Sequence, residues 1–498
     1  MPPDRKRIST TSPYERDSLM LCMTRSRIAA IGVAALLSTS TIATVAAEDE
    51  YRGMSATWDG QTTFKDLSPD VQIKIRGKVQ GVAHSYSLDK DYIKDAAKVT
   101  RAGAGYKDGI GLEDAEIQFE GTAYKHVTFR MRYDVENTSK IGASTTKPSP
   151  SVPGVPDHVH PATTTSDKNY IKLDKWWVGL TAVPYIGEIT MREVDEHMGF
   201  IESESWIEET VVHNAFNYPT MVGFMWKKQV DNTGIEMLDK RLDLWAATGM
   251  ANNEIGATDK DWNINASVCW QPVKMDGNLN AYIKFDYALI NNNGGDYTAA
   301  AGMYASKVSG PTMATFKQKA EDVTVMTPAA ALTFGQFAIN AQYYMVDGTK
   351  REGHSGTLDK DFSLNGWTVA AGFALTGENE ARNIGIKKPK KALKGDNILE
   401  NFGALELVAR ISMLDMADSG FEATDVVNSA GVISAANLNT ALGARGATVT
   451  EYQIGLNWYP TGNMLVGLMY SMDTFEGNYA GSKSYDASML GLRTMVKF

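Results

Sequence analysis

The chain is 498 residues long, carries a formal net charge of −10 at pH 7, and contains 44 glycines, 21 tyrosines and two cysteines. An acidic balance without a basic stripe excludes a nucleic-acid partner. The length fits several ordinary domains or one large β-barrel, and frequent Asn, Asp and Gly favour many strands joined by turns.

The first segment reads as an address. Arg25 and Arg27 precede an apolar run from Ile28 to Leu37 and the small residues Val45, Ala46 and Ala47, the pattern of a cleaved export signal. The run falls well short of the ~20 residues a spanning helix needs. Residues 1–47 are therefore expected to be an N-terminal extension and signal peptide, 48–70 a periplasmic segment and 71–498 one barrel. Met23, followed by "TRSR", reads as a better start than Met1, so the residues before it are expected to be either a mis-called start or an extended n-region. Cleavage after Ala47 takes the net charge from −10 to −13 and leaves Cys269 as the sole cysteine, so neither an intrachain disulfide nor a Cys-based metal site is expected. No later apolar run is long enough for a spanning helix, so a membrane can be crossed only by strands.

From residue 71 the chain alternates in segments of about ten residues, the period of a strand with different surroundings on its two faces. In "VQIKIRGKVQ", Val71, Ile73, Ile75 and Val79 oppose Lys74, Arg76 and Lys78. "HVTFRMRYDVE" sets Val127, Phe129, Met131 and Tyr133 against Arg130, Arg132 and Asp134. "NLNAYIKFDY" and "EYQIGLNWY" repeat the pattern, and "GLRTMVKF" carries it to Phe498. This periodicity predicts sixteen strands, at 71–87, 111–123, 126–136, 170–182, 186–193, 219–228, 240–249, 261–270, 278–291, 321–333, 336–347, 364–376, 402–415, 450–459, 463–473 and 487–498. The fold class is all-β, a transmembrane antiparallel barrel.

Aromatics cluster at segment ends. Trp270, Trp458, Tyr459, Tyr343 and Tyr344 close segments and Trp367 opens one, which suggests girdles at two interfaces. Short connections such as Gly335 and Pro460–Gly462 alternate with long ones such as 137–169, 194–218, 292–320 and 416–449, the asymmetry of outer-membrane barrels. Residues 377–401, with "KKPKKALK", break the rule, because parity puts this long stretch on the periplasmic side. It reads as a solvated turn.

In order along the chain, "IKIRGKVQ", "LEDAEIQFEGTAYKHVTFRMRYD", "DKWWVGL", "GEITMREVDEHMGF", "ALTGENE", "GALELVARIS", "GLNWYPTGNMLVGLMY" and "LGLRTMVKF" resemble the phosphate-selective porin O and P family. The resemblance spans most of residues 56–498. It implies a homotrimer of sixteen-stranded barrels in outer-membrane lipid, each with a third loop folded inward to constrict the channel. It also implies that the final strand, ending on Phe498, is the signal for the barrel-assembly machinery. In that family, inward basic residues and a basic third loop select anions.

On the predicted polar faces lie Lys74, Arg76, Lys78, Arg130, Arg132, Lys284, Arg410 and Arg493. They form a basic ladder, or else lumen groups paired with carboxylates such as Glu116, Glu120, Asp134 and Glu136. The third loop departs from the family. Residues 192–217 hold Glu193, Asp195, Glu196, Glu202, Glu204, Glu208 and Glu209, with Arg192 the one permanent cation. Where the family pattern is basic late in this loop, Val211, Val212 and His213 stand. An acidic ring attracts cations and repels phosphate. The expected function is passive diffusion of ions and small hydrophilic solutes with weak or cationic selectivity. The alternatives are a phosphate or polyphosphate channel and, from another class, a structural or adhesive barrel. No enzyme and no cofactor are expected: no catalytic triad can be assembled, no CxxCH occurs, and His158 and His160 in "DHVHP" read as a surface loop.

Overall fold

The computed structural model describes residues 55–58, 62–65, 71–88, 109–124, 126–136, 170–194, 198–200, 211–216, 221–251, 262–275, 279–291, 296–302, 312–349, 361–386, 388–393, 401–416, 447–477 and 484–498. The export signal, His158, His160 and most of the predicted acidic loop lie outside these residues. In chain order the elements are β1 (Ser55–Trp58), β2 (Thr62–Lys65), β3 (Val71–Leu88), β4 (Gly109–Ala123), β5 (Val127–Glu136), β6 (Tyr170–Val183), β7 (Gly187–Val194), α1 (Val211–Ala215), β8 (Met221–Gln229), β9 (Leu242–Ala251) and β10 (Trp262–Met275). They continue with β11 (Leu279–Asn291), β12 (Asp296–Gly302), β13 (Thr312–Lys319), β14 (Asp322–Phe334), β15 (Phe337–Gly348), β16 (Phe362–Ala374), β17 (Ala404–Asp415), β18 (Ala447–Tyr459), β19 (Met464–Gly477) and β20 (Ser484–Lys497).

Strands β3 to β11 and β14 to β20 pair in sequence, and β20 returns to β3 with Val496 opposite Val79 and Lys497 opposite Lys78. The result is a closed antiparallel barrel of sixteen strands with no free edge, which satisfies every ladder as a bilayer demands. Each of the sixteen predicted strands coincides with one of these. Several run further than the alternation suggested, β19 as far as Gly477 and β18 from Ala447. Their added outward residues (Thr448, Thr474 and Glu476) are polar, so the ladder continues beyond the apolar lipid-facing band that made the pattern visible. Two hairpins lie outside the ring. β1 pairs with β2, and β2 with residues 72–75 of β3, below the part of β3 that β20 occupies. β12 pairs with β13 as a separate two-stranded sheet in the connection between β11 and β14.

The dyad period decides which side chains meet lipid. Along β20, Leu490, Leu492, Val496 and Phe498 are exposed, while Met489, Arg493 and Met495 are buried inside. The same outward row continues in Phe224, Ile283, Phe285, Ile454, Leu456 and Leu468. Among the described residues no helix is long and apolar enough to cross a membrane; the strands do. At the short-turn end, three indoles share one device. Trp226 Nε1 donates to the Ile186 carbonyl (2.7 Å), Trp270 Nε1 to that of Met237 (3.0 Å) and Trp458 Nε1 to that of Phe402 (2.7 Å). Each ring lies against lipid while its N–H satisfies a turn carbonyl, which is how an aromatic girdle uses its polar handle. Tyr344 and Tyr459, expected in the girdles, are corrected. Both occupy inward rows, 1% and 5% exposed, one residue out of phase with their outward neighbours Tyr343 and Trp458.

Candidate functional site

The lumen is the site, and its geometry follows from what occupies it. Inward rows of β14 to β20 are apolar toward the long-loop end: Val323 and Val325, Val346, Phe362 and Leu364, Leu414, Val449. Such rows cannot face water at low cost, and three segments cover them. The first is the third loop. Gly199 N donates to Asp286 Oδ2 (2.7 Å) and Phe200 N to Gln342 Oε1 (3.0 Å), while the Tyr344 hydroxyl donates to the Met198 carbonyl (3.2 Å). Gly199 has φ +76°, and a Cβ there would sit 1.9 Å from Gln342 Oε1, so only glycine allows this approach. Further on, α1 buries Val211, Val212 and Ala215, with Phe216 tilted against Tyr344 (centroids 6.2 Å apart). The inward-folded constriction loop is thus present.

The second segment is the β12–β13 hairpin. Tyr297 stacks on Phe362 at 5.5 Å, and Tyr297 and Ala299 join the same apolar cluster as α1. The third comes from the opposite end. Residues 377–391 do not form a solvated turn throughout. Ile384 packs with Ala338, Ala370 and Val408, and Ile386 with Ala374, Tyr459, Leu465 and Met495, all on inward rows. Asn379 and the lysines Lys388, Lys390 and Lys391 are exposed. Two apolar side chains separated by one residue drive this stretch into the barrel, while its lysines stay in water.

These segments leave an eccentric space. A cavity of ≈ 910 Å³ lies between Ala381 and residues 383–386 on one side and the walls that carry Arg76, Lys78, Glu116, Gln118 and Arg130 on the other. On that wall charges alternate across strands. Lys78 Nζ lies 3.0 Å from Asp114 and 3.3 Å from Glu116, Arg132 lies 3.6 Å from Glu116, and Arg76 lies 3.5 Å from Glu120. Nearby, Trp177 is flanked by the guanidinium groups of Arg130 (4.7 Å to the centroid) and Arg192 (4.9 Å).

A closed barrel whose lumen is narrowed from both ends and keeps a charged wall is a channel architecture. Residues 311–498 match the family model of phosphate-selective porin O and P. This is the family that the order of sequence motifs resembles. No curated protein matches the chain. Among solved structures, the chain is similar to the outer membrane channel DcaP of Acinetobacter baumannii at 9% identity, covering 87% of this chain and 99% of that one, with a TM-score of 0.46. It is also similar to OmpF of Salmonella typhi in complex with daunomycin (11%, 89% and 100%, 0.42) and to the trimer form of OmpT of Vibrio cholerae (9%, 86% and 99%, 0.41).

In this barrel the basic residues separate into two groups. Lys74, Arg76, Lys78, Arg130, Arg132 and Arg192 share the inward face of β3 to β7, the side with open space. Arg410 and Arg493 also point inward but are 4% and 3% exposed. Arg410 makes a 3.1 Å ion pair with Glu451, and Arg493 donates to Gln80 at 2.8 Å. As a solvated ladder these two are therefore corrected: inward-folded segments cover their wall. Lys284 is tied down by Asp286 (3.3 Å) and the Gly199 carbonyl (2.7 Å), so it anchors the third loop. Arg192 and Glu193 are not in the loop but on β7. Arg192 faces the lumen, and Glu193 falls in the outward row with Ile189 and Met191, so its place in the constriction is corrected too. Asp195, Glu196, Glu202, Glu204, Glu208 and Glu209 lie outside the described residues. Sequence reading missed Tyr297, Ile384 and Ile386, although apolar residues on the lumen rows of β14 to β20 were a signal that something must cover them.

Proposed function

We propose that this outer-membrane porin passes ions and small hydrophilic solutes by passive diffusion with weak or cationic selectivity. It acts as a homotrimer, and the barrel-assembly machinery recognises the strand that ends at Phe498. The carrying observation is the wall of β3 to β5, where Arg76, Lys78 and Arg132 each have a carboxylate within 4 Å. Paired charges at this spacing largely cancel in the far field, so a permeating ion meets a polar wall and not a basic one. The acidic third-loop residues add the cationic bias. Reversal potentials of the purified trimer in a KCl gradient test this. A marked preference for chloride would sink it.

One observation favours the anion-channel alternative: Arg130 and Arg192 both lie on Trp177, which concentrates two cations at one height of the wall. Under that reading the same recording gives chloride preference, and phosphate blocks the current. A barrel that conducts nothing would favour the structural class.

A further inference from the structure

Two segments enter the lumen from opposite ends, and they meet at one side chain. Arg382 belongs to the stretch that rises from the short-turn end. Its guanidinium lies 5.9 Å from the ring centroid of Phe200, on the third loop, and 5.4 Å from that of Tyr282, on the inward row of β11. Nη1 points at Cys269 Sγ of β10 at 3.7 Å, and the Arg382 carbonyl accepts from Asn340 Nδ2 of β15 at 3.4 Å. The backbone is thus held by β15 and the head group by β10 and β11, a few strands along the wall from β16, where the stretch is rooted. Ile384 and Ile386 anchor the far side of the same stretch in apolar pockets.

Arg382 is half-buried, and among the described residues no carboxylate lies within salt-bridge distance of it. That sets it apart from Arg76, Lys78, Arg132, Lys284 and Arg410, each of which has an acidic partner. A guanidinium resting on aromatic faces keeps its charge and presents its N–H fork at the edge. Only a weak sulfur acceptor engages that edge here.

We propose that Arg382 is the selectivity-determining cation of the constriction, supplied from the periplasmic side to a third loop that lacks one. Solutes bearing carboxylate, phosphate or other anionic groups take its free N–H edge as they pass, and cations are slowed there. The proposal rests on the channel reading above. It deepens that reading, because weak net selectivity then results from this cation set against the acid-paired Arg76, Lys78 and Arg132 and the acidic loop.

The experiment compares wild type, R382Q and R382K as purified trimers in planar bilayers with a KCl gradient. R382Q is expected to raise the K⁺ over Cl⁻ permeability ratio roughly tenfold at low salt, the low end of what charge focusing in a cleft produces. The difference should shrink toward 1 M, where the Debye length is about 3 Å. R382K should stay near wild type. Heat-modifiable migration checks that each variant is a folded barrel. If R382Q fails that check, R382M replaces it, since its stem still packs on both rings. A conducting R382Q or R382M channel with the wild-type reversal potential would overturn the proposal, as would R382K shifting as far as R382Q. A wild-type barrel that conducts nothing overturns the channel reading itself, and the wild-type recording alone reveals it.

Discussion

Phe498 and Gly77 close the barrel by exchanging both backbone hydrogen bonds, Gly77 N to the Phe498 carbonyl at 2.5 Å and Phe498 N to the Gly77 carbonyl at 2.9 Å. The phenyl ring lies over Gly77, so that a Cβ there would come within 2.2 Å of its Cζ. A glycine in a strand interior normally weakens it, and here the aromatic of the neighbouring strand fills the gap. Phe498, directly after β20, therefore does the work of a cross-strand pair at the seam.

The seam gives the first prediction. G77V forces the ring off its seat and is expected to cost about 1–3 kcal/mol, the range for overpacking. The measurement is the temperature at which the compact gel band converts to the unfolded one, which should fall. Because both side chains belong to the outward row, the reversal potential should not move. An unchanged conversion temperature would show that the ring contact contributes nothing to closure.

The buried pair under α1 gives the second. Arg410 and Glu451 are 0% and 1% exposed at the side chain and 3.1 Å apart. Glu451 also accepts from Gln453 Nε2 at 2.7 Å and from the Val211 N–H at 3.3 Å, so it ties the helix of the third loop to the wall. E451Q removes the carboxylate paired with a buried guanidinium, which should destabilise the barrel by about 3–5 kcal/mol. The double variant R410M/E451L removes both charges and should recover most of that loss. Denaturant unfolding in detergent compares the three. A double variant as unstable as E451Q would show that the pair itself, and not an orphaned charge, holds the helix.

Why the walls were legible and the fillings were not follows from these residues. A strand between lipid and water writes a period of two into the sequence, so Leu490, Leu492 and Val496 announced the lipid row, and all sixteen strands could be placed. The lumen breaks that logic wherever protein replaces water. In β14, "VTVMTPAAAL" is apolar on both rows because Val323 and Val325 face other segments. The plugging segments have no long period of their own. Ile384 and Ile386 read as two isolated apolar residues beside a lysine run, and nothing local says that the pocket for Ile386 is built from β16, β17, β18, β19 and β20. Pairing was legible only as a possibility: Glu116 stood near Lys78 and Arg132 in the strand register, whereas Glu451 lies 41 residues from Arg410 and meets it only through the ladder.

The same plugging stretch carries the third prediction. Burial first, and the charge of Glu406 second, push the Glu380 carboxyl from 4.5 up to about 9. The two carboxyls share a hydrogen bond. Glu380 Oε2 also accepts from Gly385 N at 3.0 Å, Glu406 accepts from Tyr459 Oη at 2.7 Å and Asn457 Nδ2 at 2.9 Å, and Glu378 adds a smaller charge. The seated stretch therefore holds a proton that the unseated one releases. By linkage, the stability Glu380 contributes is full below pH 4.5, declines as pH rises, and is gone above about 9. As it fades, repulsion from Glu406 favours withdrawal of residues 377–391 and opening of the lumen they fill. Wild-type conductance should accordingly rise between about pH 5 and about pH 9, the window between the two titrations. E380Q, neutral throughout, should stay at the low-pH value across that range. Single-channel recordings in symmetrical KCl make the comparison, and an E380Q channel whose conductance climbs as steeply as wild type would place the pH response elsewhere in the barrel.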